Sequence, residues 1–128
     1  IMNIYESAED YLERILMLQL DGKNVRSIDI AESFNYSRAS VSRAINNLKN
    51  DGYIHINENG IITLSKTGYA IAKKIYDRHL ILSEFFERLG VPHDIAIKDA
   101  CKIEHDLSDE TFQAIYKHAS FQNKTPND

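Results

Sequence analysis

The sequence has almost no cysteine and no long apolar run. Cys101 is the single cysteine among 128 residues, which excludes a disulfide within the chain and favours a reducing compartment such as the cytoplasm. No apolar stretch approaches the roughly 18 residues that a membrane-spanning helix needs, and no basic-then-apolar signal stands at the N-terminus. We therefore expect a cytoplasmic protein without a membrane partner.

Acidic side chains are missing from residues 33–50, although the whole chain carries a net charge of −4. Residues 1–22 contain five acids and one base, residues 23–79 contain nine bases and five acids, and residues 80–128 contain five bases and nine acids. A basic centre between acidic ends predicts one surface that binds phosphates and another that binds a cation. Chance clustering of surface charge is the plainer alternative.

Hydrophobic spacing and turn residues predict mostly helices. Ser7 with Asp10 resembles a capping box at the start of the first helix, and Ser37 is expected to cap the third. Glu58-Asn59-Gly60 between two extended segments predicts a β-hairpin. The predicted elements are helices over 7–20, 27–34 and 37–50, strands over 53–57 and 61–64, and helices over 66–89, 95–107 and 109–120. Helix, turn, capped helix and hairpin follow one another as in a winged helix-turn-helix.

The third helix has the composition of a helix that reads DNA. Its outward side offers hydroxyl groups and guanidiniums, which bond base edges and phosphates, and basic residues before and after it would add phosphate contacts. A winged helix that binds protein, with an incidentally basic face, is the alternative. The candidate DNA-binding residues are Arg26, Ser37, Arg38, Ala39, Ser40, Ser42, Arg43 and Lys49.

Side chains that bind transition metals occur in three parts of the chain. Asp10 and Glu13 are three residues apart and share a face of the first helix. Cys101, Glu104 and His105 stand at i, i+3 and i+4 and are expected to project from one side of a later helix. A thiolate, a carboxylate and an imidazole together suit a transition metal. The candidate metal ligands are Asp10, Glu13, His79, Cys101, Glu104 and His105.

The helix that carries Cys101 and His105 is otherwise apolar on the same face, with Ala100, Ile103 and Leu107. We therefore expect Cys101 and His105 to be buried. Buried polar groups need partners, and a metal would supply one.

These segments resemble the diphtheria toxin repressor family of iron- and manganese-dependent regulators. The most specific shared string is Cys101-x-x-Glu104-His105 at the family's distance after Arg78-His79, and the likeness runs from about Ser7 to Ser120. The other matching strings are Glu9-Asp10-Tyr11-Leu12-Glu13, Asp29-Ile30-Ala31, Val41-Ser42-Arg43, Asp51-Gly52-Tyr53-Ile54, Leu64-Ser65-Lys66-Thr67-Gly68, Leu89-Gly90-Val91 and Ala100 to Ser108.

The resemblance implies a mainly α fold with a small β-hairpin wing, in which a winged helix-turn-helix precedes a helical domain that binds metal and forms a homodimer. We place the DNA-binding domain at residues 5–65, the metal-binding and dimerisation domain at 66–120 and a flexible tail at 121–128. The chain ends before the SH3-like domain of longer members, so the resemblance implies the short, manganese-regulator form. The partners implied are double-stranded DNA with a palindromic operator and a second copy of the chain.

The resemblance also bears on the metal. Iron-type members have methionine where Asp10 stands, and a hard carboxylate oxygen suits manganese better than a thioether does. Short manganese regulators often have glutamate where Cys101 stands, so this ligand set is a hybrid. We expect Mn²⁺, with Fe²⁺ as the alternative and Zn²⁺ or Co²⁺ able to bind in vitro. One site is expected to use Asp10, Cys101, Glu104 and His105. A second site is expected to use Glu13 and His79, and a salt bridge between packed helices is the alternative for that pair.

The chain departs from the family pattern at two places. Ser83 stands where a glutamate usually follows the histidine by one helical turn, and Ile97 stands where iron-type members have a further histidine. The ancillary iron-type site is therefore expected to be incomplete.

Two other classes of function were weighed against a metal-dependent repressor that controls metal-uptake genes. A winged-helix regulator of an organic ligand or an oxidant would use Cys101 as its sensor, but no resolving cysteine exists and a buried thiol reacts slowly. A metallo-hydrolase would need a further catalytic motif such as His-Glu-x-x-His, and the sequence has none. We expect no enzymatic activity.

Overall fold

The computed structural model describes the backbone of residues 4–123 and the side chains of residues 7–119. That part of the chain forms α1 (Ile4–Leu20), α2 (Ser27–Phe34), α3 (Arg38–Asn50), β1 (Ile54–Ile56), β2 (Ile62–Leu64), α4 (Lys66–Arg88), α5 (His93–Ile103) and α6 (Asp109–Asn123). The chain divides into two compact units, residues 1–74 and 75–128. The division falls within α4, whereas the boundary expected from the sequence lies at its first residue.

The first unit is built around apolar side chains from every one of its elements. The helices contribute apolar residues from their inner faces, and the hairpin adds one isoleucine from each strand. Removing such side chains from water is the main stabilising contribution to folding. The buried apolar residues of this unit are Tyr11, Leu12, Ile15, Leu16, Val25, Ile30, Ala31, Val41, Ile45, Leu48, Ile54, Ile62 and Ala72.

A tight turn joins α2 to α3. Asn35 adopts the left-handed conformation (φ 59°, ψ 42°) and its N–H donates to carbonyls in the last turn of α2, a position that asparagine tolerates better than other non-glycine residues. Ser37 then caps α3 as predicted, with its Oγ accepting from the Ser40 N–H at 3.2 Å. The turn sets the direction in which α3 leaves α2.

The hairpin is antiparallel, with Ile54 opposite Leu64 and Ile56 opposite Ile62. Asn57 organises its tip, because the Oδ1 atom accepts from the Asn59 and Ile61 N–H groups at 2.9 Å each. The strands are shorter than predicted because these bonds begin the loop at Asn57. The Ile62 N–H donates to the Val25 carbonyl at 2.7 Å, which ties the hairpin to the segment before α2.

Ser65 and Gly68 fix the start of α4 against the end of α3. The Ser65 hydroxyl donates to the Gly52 carbonyl at 2.7 Å and accepts from the Gly68 N–H at 3.1 Å. A Cβ atom on Gly68 would lie 2.0 Å from the Tyr53 carbonyl oxygen. This approach between two backbones requires glycine.

The second unit contains the rest of α4 with α5 and α6. A Schellman motif ends α4, since Gly90 has φ 103° and the N–H groups of Gly90 and Val91 bond the carbonyls of Glu87 and Phe86 at 3.0 Å each. Leu82, Ala100 and Phe112 form the buried centre, one from each helix. The residues packed around that centre are Ile81, Phe86, Ile103, Leu107 and Ile115.

Three predicted helices have limits that differ from the structure by two residues or more. Helix α1 begins at Ile4, so Ser7 lies inside the helix and is not its cap. Helix α5 runs over His93–Ile103, not 95–107, so Glu104 and His105 lie in the turn that follows it. Helix α6 continues through residues 121–123 of the expected tail, and residues 124–128 lie outside the described part of the chain.

Within the part of the chain that the structure describes, no helix has the length and apolarity needed to cross a bilayer.

Replacing Gly68 with alanine should lower the free energy of unfolding by about 1–3 kcal/mol, the usual cost of an overpacked site, although alanine normally favours a helix. Thermal and urea unfolding of the full chain measure the change. Tyr69→Ala, at the next position of α4 and 47% exposed, is the control and should change stability less. A stability equal to or above that of the native chain would contradict the close approach.

Candidate metal centre and nucleic-acid interface

Helix α3 separates an apolar side from a polar side. Val41, Ile45 and Leu48 are buried, and this spacing leaves the other face of the helix in solvent. The exposed residues there include the predicted DNA-binding residues Ser37, Arg38, Ala39, Ser40, Ser42, Arg43 and Lys49. The face is therefore open to a partner.

The basic side chains of this face are available for phosphates. Within residues 7–119, Arg38, Arg43 and Lys49 form no ion pair. Arg26 is also exposed, and its backbone N–H donates to Asp29 Oδ2 at 2.9 Å. Guanidiniums without an internal carboxylate are suited to bind an external anion.

An open hollow lies between the start of α2 and the exposed polar side of α3, which we call the recognition face. It measures about 360 Å³ and is lined by Ser27, Ile28, Arg38 and Ser42. Ser27 is not among the predicted DNA-binding residues, because only tertiary packing brings the first residue of α2 beside α3.

An aromatic cluster packs α1 against the turn before α3. The Tyr11 ring meets Phe34 edge-on at 5.5 Å between centroids, and Phe34 stacks on Tyr36 at 4.9 Å. The Arg14 guanidinium lies 4.5 Å from the Phe34 centroid. Burial raises the pKa of the Tyr11 phenol, and Tyr36 adds to the rise, so Tyr11 stays neutral at physiological pH.

The predicted metal ligands lie on both units. Asp10 and Glu13 stand on α1 in the first unit, where Asp10 is half-buried and Glu13 is buried. The other four belong to the second unit, with His79 on α4, Cys101 on α5, and Glu104 and His105 in the turn after α5.

The second unit brings three different donor types together. His79 Nδ1 lies 3.0 Å from Glu104 Oε2 and 3.7 Å from Cys101 Sγ. One donor atom from each of these residues lies within 4.8 Å of the other two. Metal–ligand bonds of about 2.0–2.3 Å place ligand atoms at such separations. The imidazole, thiolate and carboxylate thus fit a transition metal.

Glu104 has an imidazole on each side. Its second oxygen, Oε1, lies 3.6 Å from His105 Nε2, and both side chains are 1% exposed. The structure groups His79 with Cys101 and Glu104, and the second site predicted for His79 with Glu13 stays a prediction. Cys101 is exposed, which corrects the expected burial, and its Sγ atom still lies within reach of His79.

Comparison with known proteins identifies the family. A family model described as "Iron dependent repressor, N-terminal DNA binding domain" matches residues 3–62, and one described as "Iron dependent repressor, metal binding and dimerisation domain" matches residues 65–128. The chain belongs to the iron-dependent repressor family. It is a transcriptional regulator with a DNA-binding domain followed by a metal-binding and dimerisation domain, so DNA and a second copy are its partners.

The relatives are similar along most of the chain. An HTH-type transcriptional regulator of Methanocaldococcus jannaschii is 35% identical over 112 residues, which cover 86% of this chain and 90% of the relative. The HTH-type transcriptional regulator MntR of Lysinibacillus sphaericus is 32% identical over 102 residues, which cover 80% of this chain and 73% of the relative.

A solved manganese-dependent transcriptional repressor in complex with manganese superposes with a TM-score of 0.80 at 27% identity, covering 93% of this chain and 55% of that one. This chain therefore spans about half the length of that solved protein. The predicted winged-helix fold and the family resemblance are confirmed.

Cys101 should react readily with iodoacetamide in the metal-free protein, because the thiol is exposed, and Co²⁺ should slow the reaction severalfold by coordinating the thiolate. Mass spectrometry of quenched samples measures the rate. Mg²⁺, which prefers oxygen ligands and does not bind thiolates, is the control and should leave the rate unchanged. Equal rates with and without Co²⁺ would remove Cys101 from the ligand set.

Proposed function

We propose that this protein represses metal-uptake genes when Mn²⁺ occupies its metal site and releases the operator when the metal is lost. The observation that carries this proposal is the His79, Cys101 and Glu104 cluster in a chain whose other unit is a winged helix with an open basic face. A cation-binding cluster and a phosphate-binding face in one chain join sensing to DNA binding. We expect the protein to act in the cytoplasm.

The cluster in the second unit offers three of the ligands that we propose. Glu104, with His79 beside one oxygen and His105 beside the other, is suited to bridge two ions. Asp10 and Glu13, which share a face of α1, would supply the remaining carboxylates. Bound metal would provide positive charge where these acidic groups otherwise repel one another.

Manganese is proposed on two grounds. Asp10 contributes a hard carboxylate oxygen, and the relatives include proteins named MntR and a manganese-dependent repressor. Fe²⁺ is the alternative, supported by the thiolate of Cys101 and by the iron-dependent description of the family. Zn²⁺ and Co²⁺ would also bind in vitro, because affinity for such donors rises from manganese towards zinc.

Metal would control DNA binding through α1. Asp10 and Glu13 stand on the same helix as Tyr11, which packs against Phe34 and Tyr36 next to the start of α3. When these carboxylates join ligands of the second unit, the orientation of the winged helix becomes restricted. A cation that binds this arrangement better than others shifts the population towards it.

A homodimer would present two α3 helices to a palindromic operator, one in each half-site. The second unit leaves Leu89 66% and Tyr116 44% exposed, and Phe85, Leu89 and His118 line a hollow of about 420 Å³. A second copy of the chain would cover these apolar groups.

The metal response is tested by fluorescence anisotropy with a palindromic promoter fragment, titrated anaerobically with Mn²⁺ and Fe²⁺. We expect Mn²⁺ to activate the native protein and Asp10→Met to shift the response towards Fe²⁺, because a thioether replaces a hard oxygen. Asp21→Met, at an exposed residue in the turn after α1, is the control and should respond as the native protein does. Binding that is equally tight with a chelator would contradict metal control, and a response to peroxide instead would favour an oxidant sensor.

The recognition face is tested by the salt dependence of the same binding. Arg43→Gln should weaken binding and reduce the slope of log K against log [salt] by about 0.9, the value for one lost phosphate contact. Lys117→Gln removes the same charge from an exposed position of α6, in the second unit, and should leave the slope unchanged. An unchanged slope for Arg43→Gln would place the phosphates elsewhere.

A further inference from the structure

Arg78 is a buried arginine whose hydrogen bonds surround the turn that carries two of the proposed ligands. Only 5% of the Arg78 surface is exposed to solvent. Nη1 donates to the Glu104 carbonyl at 3.1 Å and to the Leu107 carbonyl at 2.8 Å, while Nη2 donates to Asp109 Oδ1 at 2.5 Å. The guanidinium also lies 5.0 Å from the Phe112 ring centroid.

The two carbonyl bonds are the informative ones. Helix α5 ends at Ile103, and Glu104 keeps helical backbone angles (φ −60°, ψ −26°) as its C-cap. Carbonyls at a helix C-terminus lack the N–H partners of a further turn, so Arg78 supplies donors where the helix supplies none. The chain is thereby held at Glu104 and again at Leu107, on both sides of His105.

The ion pair with Asp109 contributes less to this arrangement. Asp109 has 70% of its side chain exposed, and exposed ion pairs add little stability. A bond to Asp109 alone would orient the start of α6 without fixing the turn. The buried bonds to the two carbonyls fix the turn itself.

Arginine suits this place better than lysine. A guanidinium offers five N–H donors in a rigid planar fork, whereas a lysine ammonium is a compact group on a flexible stem. Only the fork can reach both carbonyls and the carboxylate at once while its face rests on the Phe112 ring.

We propose that Arg78 is a positioning residue of the metal centre, which holds the turn from Glu104 to Leu107 in its ligand-presenting form before metal arrives. The inference rests on the proposed function, because it assumes that Glu104 and His105 bind the ion. Helix α4 then provides both a ligand, His79, and the support for two others. Partners behind metal ligands commonly change metal affinity by about 10- to 100-fold when they are removed.

The test is a Co²⁺ titration of the full chain, followed by the thiolate-to-cobalt charge-transfer absorption that Cys101 gives. We expect Arg78→Lys and Arg78→Met to bind Co²⁺ about 10- to 100-fold more weakly, with a changed ligand-field spectrum. Asp109→Asn should stay within about fivefold of native, as for an exposed ion pair. Arg88→Met, which removes an exposed arginine paired with Glu84 on the same helix, should bind as the native protein does.

Folding is checked by thermal melting of every variant. Native-like Co²⁺ affinity and spectrum in a folded Arg78→Lys or Arg78→Met would overturn the proposal. Loss of Arg78 also leaves two carbonyls without their donor, which could disturb the turn for that reason alone. A second measurement therefore uses the native protein. Amide hydrogen exchange of metal-free protein should show Glu104 and Asp106 protected, since their N–H groups bond Ala100 and Ile103 at 3.0 Å. Protection that develops only after metal is added would also overturn it.

These outcomes separate the two proposals. If native protein gives no charge-transfer absorption with Co²⁺, the proposed metal centre is contradicted. The results for the Arg78 variants then do not change that conclusion. If native protein binds Co²⁺ and the Arg78 variants bind it as tightly, the metal centre stands and the positioning role fails.

Discussion

Glu104 brings a carboxylate into a place where only 1% of its side chain meets water, and burying a charge costs free energy unless charges or hydrogen bonds compensate. His79 Nδ1 lies within hydrogen-bond distance of one oxygen, at 3.0 Å, whereas His105 Nε2 lies 3.6 Å from the other, beyond that distance. Imidazoles compensate a carboxylate fully only when protonated, and a divalent cation does so at any pH at which it binds. The buried carboxylate of Glu104 is the charge that the proposed metal would stabilise.

The two candidate functional regions need side chains of opposite exposure. Arginines that bind phosphates must be exposed, and Arg38 and Arg43 on α3 are. Ligands that hold an ion gain from exclusion of water, and Glu104 and the His105 side chain are buried. Arg78 is buried like Glu104, although it carries the charge of the exposed arginines of α3, and two backbone carbonyls together with the Asp109 carboxylate accept its hydrogen bonds.

The sequence predicts those parts of the fold that depend on local signals. Ser37 caps α3 because its hydroxyl bonds an N–H three residues away, and the inward residues of α3 follow from helical spacing. Parts that depend on distant partners were missed. The end of α5 at Ile103 involves Arg78, which is 26 residues from Glu104 in sequence, and the exposure of Cys101 depends on which side of α5 packs against α4 and α6. The candidate ligands were chosen by type, while the grouping of His79 with Cys101 and Glu104 needed the tertiary structure.

With Cys101 as a ligand, as proposed, the ion that activates the protein need not be the ion that binds most tightly. A donor set with sulfur and two imidazoles binds Zn²⁺ and Co²⁺ more tightly than Mn²⁺, in line with the general order of affinities. A manganese-responsive protein with these ligands must therefore discriminate through geometry and ion availability. Carboxylates matter for geometry, since manganese favours more oxygen ligands than a tetrahedral ion requires. A small ion satisfied by His79, Cys101 and Glu104 would leave Asp10 and Glu13 of α1 unused, and under the proposed mechanism it would bind without activating.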